Sequence, residues 1–355
     1  MEGAGLLHDM AALQPNERAQ LGYKRAAKAL IALPVPVQQL IEAGSLRDVR
    51  YIGPSSARIL TELVQTGSST IVEAAVAAAG QATKIAGLRR TRSNFLSEMA
   101  MQEALARRHR RLVVSKGAFR GDFQMHSTWS DGAESIETMA EACARLGHTC
   151  MGLTDHSYGL PVARGMSMAY VAEQHREIDR INERLAGRFR IFKGIEANIL
   201  ADGSLDLTLD ERRVFEFIVA SPHSSLRQEH DQTMRMLGAV RQPGVAILGH
   251  PRGRMYNSRT GIVADWPRVF ADAAERGVAV EIDGNWHRQD IDFSLALQAR
   301  EAGCLFALDS DAHSIGELRF TDYSLAHARL AGVPASRVIN CWSDRKLEQW
   351  MRRHG

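Results

Sequence analysis

Seven short β-rich runs recur between residues 119 and 313, and each ends on polar side chains. The runs are FRGDFQMH, TCMGLTDH, FRIFKGIEANI, FEFIVASPH, GVAILGHP, GVAVEIDGN and CLFALDSDAH. Amphipathic segments such as SIETMAEACARLG and ADWPRVFADAAERG separate them. Strand alternating with helix predicts a parallel α/β sheet with crossover helices. A repeat of roughly 30 residues suits a TIM-like barrel of βα units better than a small open sheet.

The polar residues at the strand ends form a candidate metal site. In a βα barrel the carboxyl ends of the strands share one rim, where active sites lie. Carboxylates gathered there would repel one another, and divalent cations would supply the missing charge. A single histidine after a strand is more often structural, but the joint pattern favours ligation to zinc or manganese, with iron as a third option. The candidate ligands are His126, Asp131, His156, Glu196, His223, His250, Asp311 and His313.

Residues 1–115 show a different pattern, with helical apolar spacing throughout and almost no strand signal. Residues 1–118 carry 16 Lys and Arg against 9 Asp and Glu, a net charge of +7, whereas the remainder carries 28 against 32. A basic helical part before an acidic part fits a polyanion-binding module joined to a metal-binding one. Random variation of surface charge is the alternative explanation.

The ordered motifs resemble those of the polymerase-and-histidinol-phosphatase (PHP) metallophosphoesterases over about residues 118–342. The motifs are GDFQMHSTWSDG, LTDHS, GIEANI, ASPHSS, GHPRGR, EIDGN and DSDAHS. The resemblance implies a distorted seven-stranded (β/α)7 barrel with two to three divalent metal ions. One ion would use His126, Glu196 and Asp311. A second would share Glu196 and add His223 and His250, and a third would use Asp131, His156 and His313.

Gln124 departs from the family pattern, which usually has histidine at this position. A neutral amide oxygen is a weaker ligand for zinc or manganese than imidazole. We therefore expect Gln124 to be a weak ligand and the first ion to be held less tightly or completed by water. Complete loss of activity is the alternative.

The metals imply hydrolysis of a phosphate ester by a hydroxide held between cations. Glu196, Asp311 and Arg254 are the expected catalytic residues. Arg252, Arg259 and Asn285 are expected to bind substrate, because guanidinium grips phosphate in a bidentate fork. A solvated basic loop is the alternative for the arginines, and His287 is a weaker candidate for the same pocket.

The stretch LIEAGSLRDVRYIGPSSARILTELVQTG, within roughly residues 34–67, resembles a helix-hairpin-helix motif. Such a motif points backbone N–H groups at a nucleic-acid phosphate without reading bases. Arg50, Gly53 and Arg58 are the expected contacts. Tyr51 stands where the family usually has glycine, and tyrosine resists a left-handed backbone. The runs KIAGLRRTR and ARRHRRL add positive charge.

Together these features predict a helix-hairpin-helix domain over 1–115 and a PHP barrel over 116–355. The arrangement is similar to bacterial family-X DNA polymerases, but the roughly 50 residues between the hairpin and the first metal motif are too few for a polymerase palm. The expected function is therefore nucleic-acid phosphodiester hydrolysis, as a 3′-5′ exonuclease or end-processing enzyme, with DNA as partner. A small-molecule phosphatase of the histidinol-phosphate type and a non-catalytic DNA-binding adaptor are the alternatives.

Two further features bear on the compartment. The four cysteines show no CxxC spacing, and the amino terminus has neither a basic head nor a long apolar core. No apolar run approaches the ~20 residues of a membrane helix. A cytoplasmic protein with no membrane partner is expected, and the oligomeric state stays open.

Overall fold

A computed structural model describes residues 1–107 and 113–354. Most of the basic run ARRHRRL, including His109, lies outside the described residues. The chain divides into two compact units. The first comprises Met1–Ala106 with Met255–Thr260, and the second comprises Arg107–Arg254 with Gly261–Gly355. The domain boundary at residues 115/116 stays a prediction. No helix among the described residues has the length and apolar character needed to cross a membrane.

The first unit is helical in its described part, as the apolar spacing predicts. Its helices are α1 (Glu2–Leu13), α2 (Glu17–Ile31), α3 (Val37–Glu42), α4 (Pro54–Thr66), α5 (Thr70–Ala78), α6 (Ala82–Arg90) and α7 (Glu98–Ala106). Local sequence sets several ends: the Asn16 side chain accepts a hydrogen bond from Ala19 N, and Ser69 does so from Val72 N.

A buried ion-pair cluster joins α1 to α6 and the residues after it. Asp9 is fully buried, and its two carboxylate oxygens lie 2.7 Å from Arg89 Nε and 2.7 Å from Arg92 Nη1. Arg92 also donates to the Gly5 carbonyl at 2.7 Å and to Asn257 Oδ1 at 2.8 Å. The cluster thus ties three separate stretches of the first unit together.

Replacing Asp9 with asparagine should destabilise the first unit by about 2 kcal/mol, because it leaves the mostly buried Arg92 guanidinium without its counter-ion. The figure is below that of a fully buried pair because Arg89 is partly exposed to solvent. Urea unfolding followed by circular dichroism measures the change. The exposed pair Arg213–Asp210 supplies the control, since Asp210→Asn should change stability by less than about 0.5 kcal/mol. Equal effects of the two substitutions would contradict this account.

The second unit contains a six-stranded parallel sheet in sequential order, β1 to β6. The strands are β1 (Cys150–Leu153), β2 (Arg190–Asn198), β3 (Phe217–Ser221), β4 (Val245–Leu248), β5 (Ala279–Asp283) and β6 (Leu305–Asp309). The helices are α8 (Ile136–Arg145), α9 (Met168–Arg184), α10 (Leu209–Arg212), α11 (Thr233–Val240), α12 (Trp266–Arg276), α13 (Phe293–Glu301), α14 (Thr321–Leu330) and α15 (Asp344–Met351). Six of the seven predicted strands and the α/β class are confirmed.

The first predicted strand, residues 119–126, is not a regular strand. It lies between β1 and the end of β6: Gly152 N donates to Asp122 O at 2.8 Å, and His126 N donates to Ala312 O at 2.9 Å. Side chains take several of its other backbone N–H groups. Phe123 N donates to Asp309 Oδ1 and Met125 N donates to Thr154 Oγ1. These side-chain acceptors replace ladder carbonyls, so the closed seven-stranded barrel stays a prediction.

Apolar side chains of the strands form a buried core, separate from the polar side chains at the strand ends. Phe123, Phe192 and Phe217 pack with ring centroids 6.1 Å apart in two pairs. Ala246, Ala279 and Ala307 on later strands belong to the same buried cluster, which Trp342 and Trp350 complete. This apolar layer holds the strands in register, so the carboxyl ends reach a common edge.

Candidate functional site

Four imidazoles converge on one carboxylate, Glu196 of β2, which is 1% exposed. His156 Nδ1 and His250 Nε2 each lie 2.9 Å from a Glu196 oxygen. His223 Nε2 lies 3.5 Å and His126 Nε2 3.6 Å from the same carboxylate. Burial alone would raise the pKa of Glu196, but attraction to His156 and His223 outweighs it, so its pKa lies well below the usual value.

Three groups of possible ligand atoms share members, and Glu196 belongs to two of them. Within each group the atoms lie within 4.8 Å of one another. The groups are His126–Glu196–Asp311, His156–Glu196–His223 and His126–Asp131–His156–His313. The first group coincides with the expected ligand set of the first ion. The second contains His156 where His250 was expected, although His250 also contacts Glu196, and the third adds His126 to the expected set.

Three of the imidazoles stack on one another. The His126 ring lies 4.5 Å from that of His156 and 4.2 Å from that of His313, centroid to centroid. Burial, with repulsion from His313 and His156, lowers the pKa of His126. For His313 burial acts in the same direction, but hydrogen bonding to Asp131 and attraction to Asp311 outweigh it and raise its pKa to about 10. Burial likewise opposes a positive charge on His156, but Glu196 outweighs it and raises its pKa.

The residues at this edge fit divalent cations. Among the described residues, His126 Nδ1 and both ring nitrogens of His223 are buried without a hydrogen-bond partner. Buried nitrogen and oxygen atoms are normally satisfied, so such atoms facing one another indicate a missing shared partner. Burial also lowers the pKa of His223 to about 3, which keeps its imidazole neutral and able to ligate.

Gln124 is fully buried, and neither atom of its side-chain amide has a hydrogen-bond partner in the described chain. Its backbone N donates to Asp122 Oδ1 at 3.2 Å. The predicted role of Gln124 as a weak ligand stays a prediction.

Asp155 holds the loop that carries His126 and Asp131. Its carboxylate accepts from Ser127 N at 2.8 Å, Ser127 Oγ at 2.6 Å and Gln174 Nε2 at 2.6 Å, and also from Ser130 Oγ. Asp155 lies in the predicted strand run TCMGLTDH, but nothing in the sequence indicated this positioning role.

The three predicted arginines lie in two settings. Arg252 Nη1 and Arg254 Nη1 lie 3.3 Å and 2.7 Å from Asp292 Oδ2, and Arg254 is only 3% exposed. Arg254 Nε also donates to the Arg288 carbonyl at 3.0 Å. Arg259 belongs to the segment Met255–Thr260, which packs with the first unit.

Arg288, which was not among the residues predicted from sequence, places its guanidinium against a candidate ligand. Its Nε lies 3.3 Å from Asp311 Oδ2 and 3.8 Å from Asp283 Oδ2. Burial opposes its charge, but attraction to Asp311 and Asp283 outweighs burial and raises its pKa above the ordinary value. Its position three residues after Asn285, in a loop that follows a strand, was the available signal. Asn285 and His287 shape this loop, since His287 N donates to Asn285 Oδ1 at 3.1 Å.

The predicted nucleic-acid residues surround the turn before α4. Tyr51 has φ 74°, so the left-handed backbone expected of glycine is adopted by tyrosine, contrary to the expected resistance. The Tyr51 ring is 45% exposed, with Arg50 Cζ 4.8 Å and Arg25 Cζ 5.6 Å from its centroid. Gly53 caps α4, whose first turn carries no side-chain cap.

Two family models match the chain: the PHP domain at residues 122–255 and a helix-hairpin-helix domain at residues 2–69. The chain is a PHP-domain protein with an amino-terminal helix-hairpin-helix domain. The helix-hairpin-helix match begins at residue 2, in α1, whereas the hairpin predicted from sequence lay within roughly residues 34–67. The resemblance stated from the motifs is thereby confirmed.

Relatives of the PHP-domain protein include two kinds of named protein. It is 36% identical to DNA polymerase/3′-5′ exonuclease PolX of Bacillus subtilis over 243 residues. This aligned region is 68% of this chain and 42% of that protein. The chain thus spans less than half the length of that relative. It is 26% identical over 231 residues to a probable phosphatase of Thermoanaerobacter sp. (strain X514), over 62% of this chain and 89% of that protein.

Among solved structures, the PHP-domain protein is similar to histidinol phosphate phosphatase from Lactococcus lactis, complexed with zinc, L-histidinol and phosphate. The TM-score is 0.42 at 16% identity, covering 59% of this chain and 93% of that one.

Proposed function

We propose that this PHP-domain protein is a metal-dependent phosphoesterase that hydrolyses phosphodiester bonds of nucleic acid, as a 3′-5′ exonuclease or end-processing enzyme. The observation that carries the proposal is Glu196, a single buried carboxylate faced by four imidazoles at the strand ends. The helix-hairpin-helix domain and the PolX relative support nucleic acid as the substrate class. DNA is the proposed partner, and a cytoplasmic location stays a prediction.

Divalent cations, when bound, would lower the pKa of a coordinated water and neutralise charge on phosphoryl oxygens. In this proposal Glu196 would belong to two ligand sets, one with His126 and Asp311 and one with His223 and His250. Asp131, His156 and His313 would form a further set, and two or three of these sets would hold ions. Manganese or zinc suits such mixed imidazole and carboxylate sites.

The chain's own residues would orient and hold the reacting groups. Asp155 fixes the loop of His126 and Asp131 through its accepted hydrogen bonds. Arg252 remains a candidate for substrate contact because it is partly exposed, as does Asn285. The contacts of the buried Arg254 favour a positioning role over the predicted catalytic one, because it holds both Asp292 and the Arg288 carbonyl.

A small-molecule phosphatase is the second candidate. One observation favours it: the chain covers 89% of a relative named as a probable phosphatase. The helix-hairpin-helix domain argues against it, because a small substrate needs no such module. A non-catalytic DNA-binding adaptor is the third candidate, suggested by Gln124.

One substrate panel tests the proposal. Manganese-loaded protein is incubated with end-labelled single- and double-stranded DNA and, separately, with a small phosphomonoester. Shortening of DNA is the expected result. Phosphate release from the monoester alone would favour the second candidate, and DNA retention on a filter without any hydrolysis would favour the adaptor. The Glu196→Gln variant, tested in parallel, excludes a contaminating nuclease.

Metal binding by this site should release at least one proton per chain near pH 7.5, because ligands must lose their protons to bind. In chelated protein His313 (pKa about 10) carries a proton at this pH, whereas His126 and His223 have lowered pKa values and do not. The raised pKa of His156 acts in the same direction as that of His313. Because His313 must lose its proton to bind a metal ion, metal affinity should rise with pH up to about 10. Calorimetric titration with manganese in two buffers of different ionisation enthalpy measures the protons released. A pH-independent affinity would contradict this prediction.

A further inference from the structure

Arg288 is a fixed positive charge at the edge of the candidate metal centre. Its Nε lies 3.3 Å from Asp311 Oδ2, while the other oxygen of the same carboxylate, Oδ1, lies 3.3 Å from His126 Nε2. Asp311 is therefore shared between an imidazole on one side and a guanidinium on the other. A second carboxylate, Asp283, lies 3.8 Å from the same Arg288 Nε.

The loop that carries Arg288 is held from several directions. Arg254 Nε donates to the Arg288 carbonyl at 3.0 Å, and Arg288 N donates to the Asn285 carbonyl at 2.8 Å. The next residue, Gln289, contacts His327 Nε2 through Oε1 at 2.8 Å. A guanidinium on an anchored loop keeps its position without a further entropic cost, so its charge acts on Asp311 at all times.

Gln124 stands two residues before His126, where the family pattern usually has a histidine. The amide of Gln124 offers a divalent ion only a neutral oxygen, so we expect this position to bind an ion weakly. Arg288 compensates the charge of Asp311, and its own positive charge repels a cation beside that carboxylate.

We propose that Arg288 takes the place of one divalent cation, so that the centre binds two ions and the guanidinium supplies the positive charge beside Asp311. The two ions occupy the set of Glu196, His223 and His250 and the set of Asp131, His156 and His313. The inference rests on the proposed function as far as the site binds metal, but it does not require any particular substrate. In catalysis Arg288 then contacts the phosphoryl oxygens that a third cation would otherwise neutralise.

Counting bound manganese tests this directly. Chelated protein is reloaded with excess Mn²⁺, freed of unbound ion by gel filtration and analysed by atomic absorption. The compared chains are the unaltered protein, Gln124→His, Arg288→Met, the double variant Gln124→His/Arg288→Met, and a control Arg241→Met, whose arginine pairs with Asp272 away from the site.

We expect two ions in the unaltered protein and in the control. Gln124→His alone should gain a third ion only weakly, whereas the double variant should bind it at least about 10-fold more tightly, because the repelling charge is gone. Three ions in the unaltered protein, or equal third-ion affinity in Gln124→His and the double variant, would overturn the proposal. These counts do not depend on turnover, so absence of hydrolysis would affect the proposed function alone.

A second measurement, of thermal stability, tests the proposal even if the double variant folds poorly. Arg288→Gln keeps a polar side chain while removing the charge, and its melting temperature is compared with that of the unaltered protein in chelator and in Mn²⁺. Loss of the guanidinium leaves Asp311 and Asp283 uncompensated, so the melting temperature should fall in chelator and recover more with Mn²⁺ than in the unaltered protein. Identical shifts in both proteins would also count against Arg288 as a substitute cation.

Discussion

Replacing Glu196 with glutamine should lower hydrolysis by roughly 1,000-fold or more and reduce the number of bound ions. The physical reason is that stabilisation of transition-state charge by cations is worth several kcal/mol, and each 1.4 kcal/mol is about tenfold in rate. Glu196 is the carboxylate shared by two of the three ligand groups, so neutralising it weakens both at once. Rates on labelled DNA and manganese content are measured on the same preparation.

Glu216→Gln is the matched control for this substitution. Glu216 precedes β3 and pairs with Arg190, at the opposite end of the sheet from the candidate site. Its neutralisation should leave both activity and ion content within about twofold of the unaltered protein, as expected of a partly exposed pair. If the Glu196 variant retained its full ion content and rate, the proposed role of the site would be wrong.

The convergence of the candidate ligands could be predicted from sequence because parallel strands bring their carboxyl ends to one edge. His156, His223 and His250 each follow a strand and Glu196 lies near the end of one, so recognising the strands predicted that these side chains lie close together. Which of these side chains lie in the same ligand group was harder to predict. The second group contains His156 where His250 was expected, because the grouping depends on side-chain directions that no local sequence pattern encodes.

Arg288 and Asp9 show why other features could not be predicted. Arg288 lies in a loop with several other polar residues, and only the three-dimensional path of that loop directs its guanidinium toward Asp311. Asp9 pairs with arginines 80 and 83 positions away along the chain, the first in α6 and the second just after it. Contacts of such separation leave no periodicity in the sequence.

The irregular segment 119–126 and Tyr51 illustrate a different limit. The segment has a β-rich composition, yet buried side chains such as Asp309 and Thr154 accept its N–H groups in place of a neighbouring strand. Tyr51 adopts a left-handed backbone that costs a non-glycine residue roughly 1 kcal/mol. Tertiary context outweighs local preference at both places.

Removing two positive charges beside the hairpin, with Arg50→Ala/Arg58→Ala, should weaken DNA binding by about 100-fold at moderate salt and reduce the salt slope by about 2. Each arginine is expected to neutralise one phosphate, and counterion release makes that contribution salt-dependent. The helix N-terminus at Gly53 retains its backbone N–H groups in this variant, so residual binding should persist. Fluorescence anisotropy with labelled DNA across a salt series measures both quantities.

The control variant Arg180→Ala/Arg184→Ala removes the same charge from exposed positions of α9 in the second unit. It should change DNA affinity far less, which separates a local contact from an effect of net charge. Any turnover of a small phosphomonoester should be the same in both variants, because such a substrate needs no hairpin. Equal loss of DNA affinity in the two variants would mean that binding depends on overall charge. The proposed role of the hairpin in binding nucleic acid would then be wrong.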